Sequence, residues 1–165
     1  MPEVKREPVA WLQAIAPDSL LTRMRAYRKQ LRNFRILSTA YGQFGTIRHG
    51  SCLDSDGNAL PWYTYPAIEF LEGLHLSDAA VFEYGSGSSS QWWSDRVKEI
   101  VSVEHDKGWY DIVSVKLRRD NCTYVLSTPE AYADQLTAFE RRFDVIIVDG
   151  IRRVDCGTRA VAHMG

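Results

Sequence analysis

The sequence features best suited to binding a ligand are two glutamates and two glycines. Glu83 comes two residues before Gly85 in the segment VFEYGSGSSSQWW, Gly87 follows, and Glu104 lies 19 residues after Gly85. Glycines allow tight backbone geometry and the close approach of a ligand. A helix that starts near Ser88–Ser90 presents free N–H groups to a polar group. An acidic side chain about 20 residues past the first glycine can accept hydrogen bonds from ribose hydroxyls, so the spacing predicts a nucleoside ligand.

Two nucleoside cofactors fit this spacing to different degrees. A dinucleotide-binding turn has the pattern G-x-G-x-x-G, whose third glycine lets helix and strand approach closely, and Ser90 stands at that position here. Glu83 is the second discriminator, because a carboxylate repels a pyrophosphate and attracts the ammonium and sulfonium groups of S-adenosylmethionine. These observations favour S-adenosylmethionine and leave NAD or a nucleotide sugar as the alternative.

An alternation of strand and helix patterns must position these residues. Four apolar segments predict strands: AAVFEYG, EIVSVEHD, CTYVLS and FDVIIVDG. Four segments between and after them predict helices: SSSQWWSDRVK, KGWYDIVSVKLRR, PEAYADQLTAFERR and RRVDCGTRAVAH. This alternation predicts an α/β fold, a Rossmann-like parallel sheet of order 3-2-1-4 with flanking helices. In such a sheet ligands bind beyond the carboxyl ends of the strands near the reversal of strand order, where the glycine turn falls.

The first third of the chain predicts a helical segment. In DSLLTRMRAYRKQLRNFRIL, large apolar residues recur in steps of three and four and line one helix face, and arginines and a lysine occupy the others. We interpret this as an amphipathic helix packed on the domain; the alternative is a basic surface for nucleic acid, an anionic membrane or an acidic partner. We expect a loop with a hairpin over residues 42–60 and a helix from Pro66 to Gly73. The predicted division is a helical and loop segment, 1–60, and a cofactor-binding domain, 61–165.

Composition restricts the class of protein. The chain has 165 residues, which suits one domain, and a formal net charge of −1, which argues against nucleic acid as a partner. No apolar run approaches the ~20 residues that a membrane-spanning helix needs. The first residues, MPEVKREPVAWLQ, lack the apolar core of a signal peptide. Three cysteines without metal-site spacing indicate reduced thiols in a cytoplasmic protein.

Three segments together resemble the class I S-adenosylmethionine-dependent methyltransferases: VFEYGSGSSSQWW, VSVEHDKGWYDIV and FDVIIVDG. Within that family the chain is most similar to bacterial small-molecule methyltransferases whose turn reads FEYGSG-x-S before a Trp-containing helix. The resemblance covers residues 79–152 and implies transfer of a methyl group to an oxygen or nitrogen of a small-molecule acceptor.

The resemblance also implies roles for individual residues. Glu83 lies near the methionine amino group through water. The following stretch, Tyr84, Gly85, Ser86, Gly87 and Ser88, wraps the methionine portion, and Glu104 and His105 hold the ribose and flank the adenine. The turn with Ser127, Thr128 and Glu130 approaches the adenine edge, although Glu130 equally suits the first turn of a helix. Asp149 faces the reaction centre as cofactor ligand, acceptor ligand or catalytic base, or else merely ends a strand.

The chain departs from the family after its fourth strand. The family fold has seven strands, and about fifteen residues follow FDVIIVDG here, so we expect an incomplete version of that fold. We expect a fragment or a truncated protein that is a methyltransferase, only the cofactor-binding portion of one, or a non-catalytic nucleoside-binding or interaction module. The apolar fourth strand would then lie at an open edge and favour self-association. We predict no metal site, because the downstream oxygen ligands of metal-dependent O-methyltransferases are absent.

Overall fold

Four short strands form one parallel sheet at the centre of the protein. In the computed structural model, which describes residues 18–117 and 119–164, the strands are β1 (Ala80–Tyr84), β2 (Glu99–Glu104), β3 (Cys122–Leu126) and β4 (Val145–Val148). Their order is β3-β2-β1-β4. Ala80 pairs with Glu99 and Val81 with Val145, so the carboxyl ends of β1, β2 and β4 lie side by side. The predicted fold class, a Rossmann-like α/β sheet of order 3-2-1-4, is confirmed.

Six α-helices and one 3₁₀ helix are described around this sheet. The α-helices are α1 (Asp18–Thr39), α2 (Gln43–His49), α3 (Tyr65–Glu72), α4 (Ser88–Ser94), α5 (Lys107–Ser114) and α6 (Arg153–Met164), and the 3₁₀ helix is Ala133–Ala138. The predicted loop over 42–60 is wrong in its first part, where α2 forms. Its predicted hairpin is present as a bridge between Leu53 and Ala59.

The prediction of an α-helix over PEAYADQLTAFERR is also wrong. Arg152 supplies the physical reason, because its guanidinium donates to the carbonyls of Pro129 and Glu130 at 3.2 and 2.8 Å. An α-helix would use those carbonyls for N–H groups four residues later. The side chain of a distant residue therefore competes with the local helix, and only the short 3₁₀ turn remains.

The strands alternate their side chains between two apolar clusters, one on each face of the sheet. Phe82 and Tyr84 pack on one face with Tyr132 and Leu136. The other face carries the second cluster, whose buried members are Cys52, Leu60, Ile68, Val81, Trp92, Trp93, Val97 and Ile100. Cys52 and Leu60 belong to this core, so the packed unit begins before the predicted boundary at residue 61.

The apolar face of helix α1 is exposed to solvent. The helix forms where the sequence predicts, and the prediction that its apolar face packs on the domain is wrong. Tyr27, Leu31 and Phe34 on that face are 71, 67 and 65% exposed. In the parts of the chain that the structure describes, no helix has the length and apolarity needed to cross a bilayer.

Candidate functional site at the glycine turn

The turn after β1 is fixed from below by close backbone packing. Gly85 has φ +105°, and a Cβ built on it would lie 3.0 Å from the carbonyl carbon and oxygen of Asp149. Its N–H donates to the carbonyl of Val103 at 2.9 Å. Only glycine therefore lets the ends of β1 and β4 come this close in this conformation.

Tyr132 closes the same packing from the other side. Its hydroxyl donates to the carbonyl of Val103 at 3.1 Å, and a Cβ on Gly150 would lie 2.0 Å from that hydroxyl oxygen. Tyr132 is fully buried, so it has little room to retreat. We call Gly85, Tyr132, Gly150 and the backbone of Asp149 the turn floor. The sequence gives no signal for this role of Tyr132, which follows from the register of the strands.

Glu83 lies inside the protein and is bound to serines. It is 1% exposed, and its Oε2 accepts hydrogen bonds from Ser90 at 2.5 Å and Ser102 at 2.8 Å. Ser90 also accepts from the N–H of Gly87 at 3.1 Å, so the carboxylate braces the turn through one hydroxyl. Burial raises the pKa of Glu83, and the hydrogen bonds from serines oppose that rise. A raised pKa favours the neutral form, which weakens the attraction to a cation that the sequence suggested.

Glu104 ends β2 directly beside the turn. Its Oε1 accepts from the backbone N–H groups of His105 and Asp106 at 2.8 and 2.9 Å, and its Oε2 accepts from Ser86 at 2.8 Å. Ser86 sits in the glycine turn and in turn bonds the hydroxyl of Tyr124 at 2.7 Å. The carboxylate is thus oriented by fixed donors. A carboxylate offers about four acceptor positions, and these bonds leave one of them on Oε2.

His105 carries a buried nitrogen without a hydrogen bond. Its Nδ1 lies 2.9 Å from Oε1 of Glu104, but the geometry between them is not that of a hydrogen bond, and no other atom of the described residues bonds it. Buried polar atoms normally have partners, and the neighbour of this nitrogen is the carboxylate of Glu104.

A small recess opens above the turn. It has a volume of about 160 Å³ and is lined by Gly50, Ser51, Cys52, Trp62, Ser86, Gly87, Ser88, Ser89, Trp109 and Asp149. The indole N–H of Trp109 donates to the carbonyl of Ser86 at 2.9 Å, and the ring lies over Gly87. Pockets for small molecules usually measure ~300–1,000 Å³. A whole nucleoside would therefore need Trp62 and Trp109, which are 71 and 46% exposed, to turn aside.

Asp149 stands at the end of β4 on the edge of this recess. Its N–H donates to the carbonyl of Tyr84 at 2.8 Å, and its Oδ1 accepts from Arg153 at 2.9 Å. Both side chains are substantially exposed, so the pair is accessible to water. The structure therefore brings Asp149 to the same sheet edge as Ser86, Gly87 and Ser88.

Burial, and to a smaller degree the charges of Glu83 and Asp149, raise the pKa of Tyr63, which keeps that phenol protonated.

Three predicted residues lie elsewhere. Tyr84 is fully buried in the core, where its hydroxyl donates to the carbonyl of Ala133 at 2.7 Å, so its side chain does not reach the recess. Thr128 and Glu130 are exposed on the segment held by Arg152. Glu130 does not begin an α-helix, so the alternative role in a first helical turn is wrong. Neighbouring Ser127 is closer to the site, since its N–H donates to the carbonyl of Glu104 at 2.8 Å.

Ser51, Trp62 and Tyr124 join the site without having been expected there. Ser51 approaches Ser88 at 3.3 Å between their hydroxyl oxygens, and Tyr124 stacks on Tyr110 with ring centres 4.3 Å apart. The aromatic density before α3 was the available signal for Trp62. Ser51 and Tyr124 carry no local signal, because they are brought in by contacts between distant segments.

Comparison with known proteins adds little to this geometry. No protein-family model matches the chain, and no curated protein matches it. Among solved structures, a methyltransferase-like protein from Silicibacter pomeroyi DSS-3 is similar, with 19% identity and a TM-score of 0.48. The similarity covers 62% of this chain and 67% of that one. A likeness this distant establishes neither family nor activity.

Proposed function

We propose that this protein binds S-adenosylmethionine and transfers its methyl group to an oxygen or nitrogen of a small-molecule acceptor. The observation that carries the proposal is Glu104, whose carboxylate is oriented beside the glycine turn by the N–H groups of His105 and Asp106. The sequence resemblance to class I methyltransferases supports the same assignment.

The residues present fit the nucleoside part of this cofactor. The remaining acceptor position of Glu104 suits a ribose hydroxyl. Ser86, Gly87 and Ser88 border the recess where the rest of the molecule would lie. Glu83 supports the turn from inside through its hydrogen bonds with Ser90 and Ser102.

When bound, S-adenosylmethionine supplies an electrophilic methyl group on a sulfonium sulfur. The residues of this chain contribute position and exclusion of water, which account for most of the rate in a direct displacement. Trp62 and Trp109 border the recess, so they would pack against a bound molecule. Asp149 can orient an acceptor or hold its proton at the carboxylate, and a base is needed only for an acceptor that ionises poorly, such as a hydroxyl.

NAD or a nucleotide sugar remains the alternative ligand. Ser90 occupies the position of the third glycine of a dinucleotide turn, and its buried hydroxyl is committed to Glu83 and Gly87. Its side chain therefore takes the space that the third glycine leaves for close helix packing.

Calorimetric titration tests the cofactor class. We expect S-adenosylhomocysteine to bind the full chain saturably, NAD not to bind, and Glu104→Ala to weaken binding at least about tenfold, since it removes a charged acceptor. Glu140→Ala, an exposed glutamate outside the site, is the matched control. Binding of NAD alone, or undiminished binding by Glu104→Ala, contradicts the proposal.

A second candidate is a non-catalytic module that associates with itself. The observation that favours it is the position of β4, which forms one edge of the sheet within the described residues and carries the sequence VIIV. Unpaired edges of apolar strands pair readily with other chains. Light scattering, together with a methylation assay, separates the two functions, because a monomer that methylates an acceptor contradicts the second.

We also place the protein in the cytoplasm, supported by its free cysteines Cys52, Cys122 and Cys156.

A further inference from the structure

Helix α1 exposes a continuous apolar stripe, which we define as Leu20, Met24, Tyr27, Leu31 and Phe34. Their exposed fractions run from 45 to 71%, although together they follow one face of a 22-residue helix. Phe44 and Ile47 on the adjacent α2 are 62 and 75% exposed as well. An isolated helix is marginally stable in water, and most helices depend on a partner for their apolar face. The stripe therefore indicates a surface that something covers.

The charge beside the stripe identifies the kind of partner. The helix contains six basic residues, Arg23, Arg25, Arg28, Lys29, Arg32 and Arg35, and one acidic residue, Asp18, within a chain of net charge −1. At about 100° per residue, Arg25, Arg28, Arg32 and Arg35 lie on one flank of the stripe, Lys29 lies opposite it, and Arg23 lies on the other flank. A basic flank beside aromatic and aliphatic side chains, with no run long enough to span, is the pattern of a helix that lies in a bilayer interface.

We propose that α1 docks on an anionic lipid surface, with the apolar stripe in the acyl boundary and the basic flank at the headgroups. A second copy of α1 fits less well, because antiparallel pairing would bring the basic flanks together. A nucleic acid would neutralise the arginines and leave Leu20, Met24 and Leu31 in water. Only an anionic apolar interface satisfies both halves of the helix, and this surface is independent of the glycine turn.

Vesicle co-sedimentation of the full chain tests the proposal. We expect binding to vesicles of phosphatidylglycerol and phosphatidylcholine, absence of binding to pure phosphatidylcholine, and weaker binding as salt rises. The charge variant Arg25→Gln/Arg28→Gln/Arg32→Gln should bind the vesicles about a hundredfold more weakly, since each base near the surface strengthens binding about fivefold. The stripe variant Leu31→Ser/Phe34→Ser should bind the vesicles at least about tenfold more weakly, because insertion of apolar side chains is needed as well.

Two control variants remove the same number of charges or apolar side chains from other parts of the surface. Lys98→Gln/Lys116→Gln/Arg142→Gln removes three exposed charges, and Val154→Ser/Val161→Ser removes two exposed apolar residues from α6. Both controls should bind like the parent, and circular dichroism checks the folding of all variants.

Several results would overturn the proposal. Absence of binding to the anionic vesicles would do so, as would an unchanged affinity of the stripe variant. A dimer in sedimentation velocity that the stripe variant abolishes would assign the stripe to a second copy. Binding of a polyuridylate RNA that needs the arginines but not the stripe, without vesicle binding, would assign the charge to nucleic acid.

Discussion

The glycine turn has a closed side, formed by packed backbone, and an open side, bordered by exposed side chains. Below, the turn floor packs backbone against backbone, with the Cβ position of Gly85 only 3.0 Å from Asp149. Above, exposed side chains of Trp62 and Trp109 border a recess of about 160 Å³. The difference teaches that neighbouring residues of one short motif can serve two purposes. The first glycine fixes the fold, and the residues after it border the recess.

Substitution of Gly85 by alanine should give the largest effect, about 3 kcal/mol of lost stability. The new Cβ meets the Asp149 backbone, and the alanine must also adopt a positive φ. Denaturant unfolding measures the change in the free energy of unfolding. Gly57→Ala is the matched control, because Gly57 has φ +87° with no atom within 4 Å, and should cost about 1–2 kcal/mol from strain alone. Equal losses in the two variants would show that the turn floor is not tightly packed.

Gly150→Ala should cost about 2 kcal/mol, through overpacking against Tyr132. The variant Tyr132→Phe removes the hydroxyl oxygen that lies 2.0 Å from the new Cβ and, by itself, loses one hydrogen bond worth about 1 kcal/mol. The double variant should therefore lose less stability than the sum of the losses in the two single variants. Strict additivity in thermal unfolding would contradict the contact.

Glu83→Gln probes the closed side through pH. Burial raises the pKa of Glu83 in the folded protein, so the folded state holds this proton more tightly than the unfolded chain. The contribution of Glu83 to the stability of the parent is then greatest below its unfolded pKa, about 4.3, and falls as pH rises toward the folded value. The non-titrating glutamine should gain stability relative to the parent over that window. Parallel melting curves from pH 4 to 8, with Glu140→Gln for the same charge change, test this sign.

Trp109→Phe should have the smallest effect on stability, about 1 kcal/mol or less. It removes the bond from the indole to the Ser86 carbonyl at the open side, where water can replace it. Calorimetry should nevertheless detect an altered affinity for S-adenosylhomocysteine. A loss of stability as large as that of Gly85→Ala would show that the open side also supports the fold.

The strands and their order could be predicted because each is a continuous apolar run bounded by turn residues. Helix α2 and the 3₁₀ segment could not be predicted. The latter depends on Arg152, which reaches back to Pro129 and Glu130 from beyond β4. Local patterns hold no information about such a contact.

The candidate site shows the same limit. The spacing of Glu83, Gly85 and Glu104 predicted that they lie together at the ends of β1 and β2, and the sheet register brings them there. It did not predict that Glu83 would be bound by Ser90 and Ser102 inside the fold. Those partners come from α4 and β2, and their approach depends on packing across the sheet.

The contact of Trp109 with the turn also gives the protein a built-in optical probe. Its indole bonds the Ser86 carbonyl and is 46% exposed, whereas Trp92 and Trp93 are 1% exposed in the core. Indole emission shifts to longer wavelength with hydration, so Trp92 and Trp93 emit at shorter wavelength than Trp62 and Trp109. Any occupant of the recess must move or cover Trp109 and Trp62, and the emission spectrum will report it without a label.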